Sequence, residues 1–235
     1  AHLSYRAIFA LTAAFPLLIV ASLPFSETRT LSESRPPVWS SLGALIRSKG
    51  FWRVSALIFL YNFNPFKGTA FFYYQSGPLG FSKTLIGTLT SVGGAAGMAG
   101  AALFGRACAR VDSERLARAG VAAGVLLTAL YLAYLSPASA LVLTALTGAA
   151  EVFFRLSMMD LAARACPHGA EATGFALFMS VFNLTAWASN AAGGVLYERW
   201  SSSAGAHGAM AGLILLSALM TAACWPLTRP PENAA

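Results

Sequence analysis

The sequence predicts an all-α polytopic membrane protein with seven transmembrane helices. Three observations carry this expectation. Apolar runs of about 20 residues, the length that crosses ~30 Å of hydrocarbon, recur along the whole chain. Only 11% of the residues are charged while 57% are hydrophobic, a balance foreign to soluble domains. The basic residues gather in loops on one side, where an orientation signal would place them.

Taken in order, the first span covers residues 5–25 and tolerates Pro16 because neighbouring helices in a bilayer can re-satisfy the freed backbone. It lacks the basic start and cleavage site of a signal peptide. The chain opens on Ala1-His2-Leu3 without Met, so it reads as a fragment beginning part-way through a longer protein. Residues 26–37, rich in Ser, Glu, Arg and Pro, read as a linker. In 38–49 the apolar Val38, Leu42, Leu45 and Ile46 recur at helical spacing beside Arg47 and Lys49, the pattern of a short helix lying in the interface.

The second span, 51–74, contains Asn62, Asn64, Pro65 and Lys67, and Gly77-Pro78 marks the turn after it. The third, 84–104, carries Gly93, Gly97 and Ala101 at four-residue spacing, a small face that lets another helix approach closely. The fourth (116–135) and seventh (207–227) read as plain apolar helices. The fifth (138–160) and sixth (172–197) hold most of the polar chemistry. Placing residues 26–50 in the cytoplasm gives that side Arg29, Arg35, Arg47, Lys49, Arg53, Arg106, Arg110, Arg115, Arg118, Arg164 and Arg229. The far side receives only Arg6, Lys83 and Arg199. The expected organisation is a last helix of one bundle (1–25), a central cytoplasmic loop with an interfacial helix (26–50), a six-helix bundle (51–228) and a cytoplasmic tail (229–235).

Several function classes fall away. The net charge of +7 does not signal nucleic acid, since no basic run is interleaved with aromatics and the charge sits in loops. Cys108, Cys166 and Cys224 lie far apart near cytoplasmic span ends, where thiols stay reduced, and have no metal-ligand spacing. His2, His168 and His207 are isolated near membrane edges, so no enzyme site can be assembled from them. No nucleotide-binding motif is present, so ATP drive would need another chain. No cofactor or metal is implied.

Ionisable groups inside a bilayer are costly, roughly 2.5–3.5 kcal/mol each on insertion scales, and mark cavities or paired charges. Within the six-span bundle, members one, two, four and five carry polar or small-residue faces, and members three and six do not. That period of three is expected of two inverted three-helix repeats. Glu151 and Arg155 are four apart, about 40° round the helix, and can pair, either lining a cavity for substrate or proton, or locking the span to a neighbour. Asp160, nine residues beyond Glu151, falls on the opposite face of a straight helix. Either the helix bends before it, giving Asp160 a substrate or gating role, or it is a rim charge tied to Arg164 or the loop backbone. Lys67, with Asn64 on nearly the same face and Pro65 between them, either holds an anionic group or snorkels to the interface. Asn183 and Asn190 share a face, as interhelical glue or as ligand contacts, with glue favoured for Asn190. Phe63, Phe66, Phe71, Phe72, Tyr73 and Tyr74 read mostly as packing or belt residues, one or two of which could stack on a flat ring.

The joint Ala165-Cys166-Pro167-His168-Gly169-Ala170-Glu171-Ala172-Thr173-Gly174-Phe175 resembles a segment of the folate–biopterin transporter family, a branch of the major facilitator superfamily. The likeness continues through Ser180-Val181-Phe182-Asn183-Leu184 to Gly193-Gly194, and upstream in Asn64-Pro65-Phe66 and Leu79-Gly80-Phe81-Ser82. It implies a twelve-helix transporter of which this chain is helices six to twelve, moving folates or pterins coupled to protons. Asp160, Glu171 and Asn183 match polar positions of the family. The arginine-rich loop 105–118 resembles a loosened gating-loop motif, with Asp112 and Arg115 present at altered spacing. The expected partners are a small-molecule substrate, a proton, the lipid bilayer and the N-terminal half of the same transporter. The expected site is Asn64, Lys67, Glu151, Arg155, Asp160, Glu171 and Asn183. The alternatives are a facilitator carrying a sugar, drug or lipid, and a membrane subunit that transports nothing.

Overall fold

The computed structural model describes residues 45–166 and 170–228, together with residue 43 and scattered positions between 6 and 20. The chain divides into two units, Ala1–Arg35 and Pro36–Ala235. In the first, the described positions from Arg6 to Val20 are helical, with Phe9, Leu17 and Val20 exposed. The expected linker, the tail and half of the interfacial helix lie outside the described residues. Of that last segment, Leu45 is described and is fully buried in the core of the second unit, while Ile46 is exposed.

The second unit is helical throughout most of its described residues. Its helices are α1 (Lys49–Asn62), α2 (Thr69–Ser76), α3 (Lys83–Ala107), α4 (Ser113–Leu130), α5 (Pro137–Arg164) and α6 (Glu171–Ala222). Four segments are long and apolar enough to cross a membrane: Lys83–Ala107, Ser113–Ala133, Pro137–Arg164 and Glu171–Thr228. The protein is an integral membrane protein.

Local chemistry sets the helix starts. Ser82 accepts a hydrogen bond from the Leu85 N–H at the head of α3. Ser136 and Ser139 form a reciprocal capping box around Pro137, whose fixed φ suits the first turn of α5. Two connections depart from the expected spans. The second span is not one helix with a proline inside it. α1 stops at Asn62, residues 63–68 are non-helical, and α2 lasts eight residues. Pro65 has no N–H and disfavours the helical conformation at Asn64 before it, so the helix cannot run on through this stretch. The expected loop between the sixth and seventh spans is also absent. Residues 198–204 remain helical, and the chain folds back at Gly205 alone, with φ 74° and ψ 168°. The Trp200 ring then lies against Gly212, where a Cβ would stand 3.1 Å away, and Leu196, Tyr197 and Trp200 pack on Met210, Leu213 and Ile214.

α3 and α5 pack through glycine. Gly93 meets Thr144 and Gly148, Gly97 meets Val152, and Gly100 meets the Ala149 carbonyl. The seam uses Gly100 rather than the expected Ala101. Seven residues turn an α-helix by about 700°, within 20° of two full turns, whereas eight overshoot by about 80°. At one end of the unit an apolar cluster joins Leu45, Phe51, Val54, Leu57 and Ile58 to Val121, Met158 and Phe178. At the other, Phe66, Ala70 and Tyr74 pack with Met210, Leu213 and Ile214. The interrupted stretch after α1 leads from the first cluster into the second, to which its Phe66 belongs.

Candidate functional site

The break between α1 and α2 strands backbone groups that hydrocarbon cannot satisfy. α6 supplies the partners. Ser189 Oγ accepts from the Asn64 N–H at 3.0 Å and lies 3.4 Å from the Asn62 carbonyl. Asn190 Oδ1 accepts from the Thr69 N–H at 3.0 Å, capping α2. Gly193 leaves room for the Pro65 carbonyl, and Gly68 takes φ 70° against Asn190. The side-chain amides of Asn62 and Asn64 donate to the carbonyls of Ile58 and Tyr61, at 2.8 and 3.1 Å.

This pinned joint forms one wall of a cavity of about 470 Å³. Asn62, Asn64, Lys67 and Gly68 line it from the joint. Glu151, Arg155 and Met159 line it from α5, and Met179, Phe182, Asn183, Ala186, Ser189 and Asn190 from α6. At its centre one carboxylate holds two cations. Lys67 Nζ donates to Glu151 Oε2 at 2.6 Å, and Arg155 Nη2 donates to Glu151 Oε1 at 2.8 Å. Lys67 Nζ also stands 5.9 Å from the centroid of the Phe66 ring and 6.0 Å from that of Tyr131, within cation–π range. Lys67 therefore turns into the bundle rather than snorkelling. Two cations against one acid leave the lining positive by one charge, a setting for an anion.

A chamber of about 60 Å³ lies behind the ion pair, with Lys67 and Glu151 lining it as well as the larger cavity. Its other walls include Tyr61, Thr128, Tyr131, Thr147 and Thr221. A third cavity, of about 830 Å³, opens toward the Arg164 end of α5. There Arg53 pairs with Glu114 at 3.2 Å, and Asp112 and Arg115, the residues of the loosened gating motif, pair at 3.7 Å.

The structure brings together five of the seven expected site residues: Asn64, Lys67, Glu151, Arg155 and Asn183. Asp160 and Glu171 lie elsewhere. α5 runs unbroken past Asp160, which accepts from the Ser113 hydroxyl and from Arg164 Nε at 2.9 Å, tying the end of α5 to the start of α4. Glu171 opens α6 beside Cys166. Burial first, and the Glu171 carboxylate second, push that thiol above its ordinary range. Sequence reasoning passed over Asn62 and Ser189. Asn190, read as glue, is glue and lining at once. None of the six aromatics singled out in the second span lines the cavity. Phe66 and Tyr74 are core, Phe72 and Tyr73 are exposed, and the lining aromatic is Phe182. Helical spacing of Phe182 from Asn183 and Asn190 carries no signal for it, because an apolar residue in a span is unremarkable.

The family model described as the BT1 family matches residues 4–229 of the chain. A folate-biopterin transporter of Synechocystis sp. is 33% identical over 207 residues, which cover 77% of this chain and 40% of that protein. The chain thus spans less than half the length of the curated relative it matches. No solved structure matches it.

Proposed function

Because the chain belongs to the BT1 family, we propose that it forms part of a secondary active transporter for folate- or pterin-like organic anions, driven by protons. In this reading residues 1–25 end one bundle, residues 26–50 are the cytoplasmic loop between bundles, and residues 51–228 are the second bundle, passing the membrane six times. It is the C-terminal half of a major facilitator protein, and an N-terminal half closes the substrate site from the other side. Access alternates as the two bundles rock about a site at mid-depth.

The observation that carries the reading is the cavity beside the broken helix. Its volume of about 470 Å³ falls within the roughly 300–1,000 Å³ common for small-molecule sites. Its paired cations and its broken-helix wall suit a midplane anion site. Lys67 and Arg155 suit the carboxylates of a folate, Phe182 suits the face of a pterin ring, and Asn64 and Asn183 suit its edge. Asp160 and Glu171 act at the rim, on the closing of the bundle.

The test is uptake of labelled folate, across external pH, by cells expressing the full-length protein. Saturable uptake that rises at acidic pH supports the reading. Absence of uptake above control, with the protein confirmed in the membrane, removes folate as cargo. One observation favours a second reading. Four asparagines, Asn62, Asn64, Asn183 and Asn190, line the cavity, and the hydrogen-bonding capacity they keep beyond their backbone ties suits a neutral, hydroxyl-bearing cargo such as a sugar. A sugar that competes with neither folate nor biopterin but is itself accumulated would replace the first reading.

A further inference from the structure

We propose that Glu151 is a built-in stand-in for the substrate carboxylate: it occupies Lys67 and Arg155 until the anion arrives, then takes a proton and releases both cations to it. The proposal rests on the transport reading above and states how proton and anion are coupled at that site.

Three observations carry it. First, Glu151 uses both its oxygens, Oε2 on Lys67 at 2.6 Å and Oε1 on Arg155 at 2.8 Å. The two cations a substrate carboxylate would seek are already engaged, in the bidentate manner such a carboxylate would adopt. Second, among the described residues nothing else in the cavity can take the role. The titratable groups facing Glu151 are Lys67 from the joint, Arg155 from α5 itself, Tyr61 from α1 and Tyr131 after α4. α6 contributes only amides, a hydroxyl and apolar groups. Third, Glu151 also lines the chamber behind the pair, among the hydroxyls of Tyr61, Thr128, Tyr131 and Thr147. That space of about 60 Å³ is large enough to admit water. A neutral carboxylic acid turned toward it finds polar partners.

The charge balance favours the exchange. Two cations and the Glu151 carboxylate sum to one positive charge. A second carboxylate brought onto the same cations would have to share them with Glu151, two like charges side by side. A proton drawn from solvent onto a Glu151 oxygen removes that repulsion. The incoming anion replaces the charge lost, and the sum stays at plus one. By linkage, protons strengthen anion binding by the same factor as the anion strengthens proton binding.

The experiment uses the full-length protein with two probes, folic acid, which bears carboxylates, and biopterin, which bears none. In proteoliposomes the KM for folic acid should fall by up to about tenfold for each unit by which pH is lowered as Glu151 titrates, while the KM for biopterin stays flat. Glu151→Gln should make folic acid uptake independent of pH. A Glu151→Gln protein that keeps the native pH dependence overturns the proposal. The native protein supplies a readout that no variant can spoil. In weakly buffered detergent solution, folic acid binding should draw about one proton from solvent, and biopterin binding none. Folic acid binding without proton uptake overturns the proposal and leaves the transport reading intact. If neither probe is bound or carried, the transport reading fails and this proposal falls with it.

Discussion

The backbone carbonyl of Pro65 occupies the space that a side chain at Gly193 would need. The broken joint and α6 are thereby held backbone to backbone, and the contact cannot be relieved by rotating a side chain. Gly193→Ala is expected to cost at least the ~1–3 kcal/mol typical of overpacking. Gly194, which has open space around its Cβ position, should accept Ala with little change. Thermal unfolding of the two variants in detergent, followed by fluorescence-detected size exclusion, separates them. Equal stability would mean that the joint is not pinned.

Asn190 makes a second tie to the joint, through the Thr69 N–H. Asn190→Ala should destabilise by about 1 kcal/mol, as loss of a helix cap does. Asn190→Asp keeps the accepting oxygen and should retain most of the stability. Since the new carboxylate would stand in the cavity, folate uptake by Asn190→Asp should nevertheless fall. A variant that is stable but impaired is the expected signature, read by unfolding and uptake on the same preparation.

The glycine seam of α3 sorts its own positions. Gly100→Ala would drive a methyl group into the Ala149 carbonyl, whereas Gly87→Ala and Gly94→Ala meet nothing within 4 Å. The first should lower stability by roughly 1–3 kcal/mol and the others should be neutral or slightly stabilising through helix propensity. Finding Gly94→Ala the most harmful of the three would refute this assignment of the seam.

Cys166 offers a titration outside the spans. Its raised pKa means a smaller thiolate fraction at neutral pH than an ordinary cysteine has, so maleimide labelling should be slow at pH 7 and accelerate as pH rises. Glu171→Gln removes one of the two causes of the rise, lowers the thiol's pKa and should speed labelling at pH 7. The comparison is made with Cys108 and Cys224 replaced by Ser. Unchanged rates would show that Glu171 does not act on this thiol.

The legibility of the fold and the site in the sequence differs from residue to residue. Glu151 and Arg155 are plain in it, since charges four apart in an apolar run have few other uses, and they do pair. Lys67 is visible as a charge near the limit of its reach to the interface, but its partner is not. Glu151 is 84 residues away, and no local pattern encodes that meeting. Pro65 signals an irregularity, yet the extent of the break depends on Ser189, Asn190 and Gly193 being ready to receive the freed backbone, a tertiary fact. Asp160 shows the limit of helical geometry in the other direction. The angle correctly excludes it from the face of Glu151, but its tie to Ser113 crosses from one helix to another and has no local signature. The fold-back at Gly205 is hidden because the polar stretch before it, Glu198 to Ser203, looks like a loop in composition while remaining helical.

That fold-back has a practical consequence for anyone who wishes to attach something to the molecule. A reversal made by one glycine carries no slack. An epitope tag or protease site inserted at position 205 must pry Trp200 from Gly212 before it can be accommodated, so the insertion would report on its own damage. The stretch from Cys108 to Asp112, between α3 and α4, is mostly exposed and is the better address for a reporter.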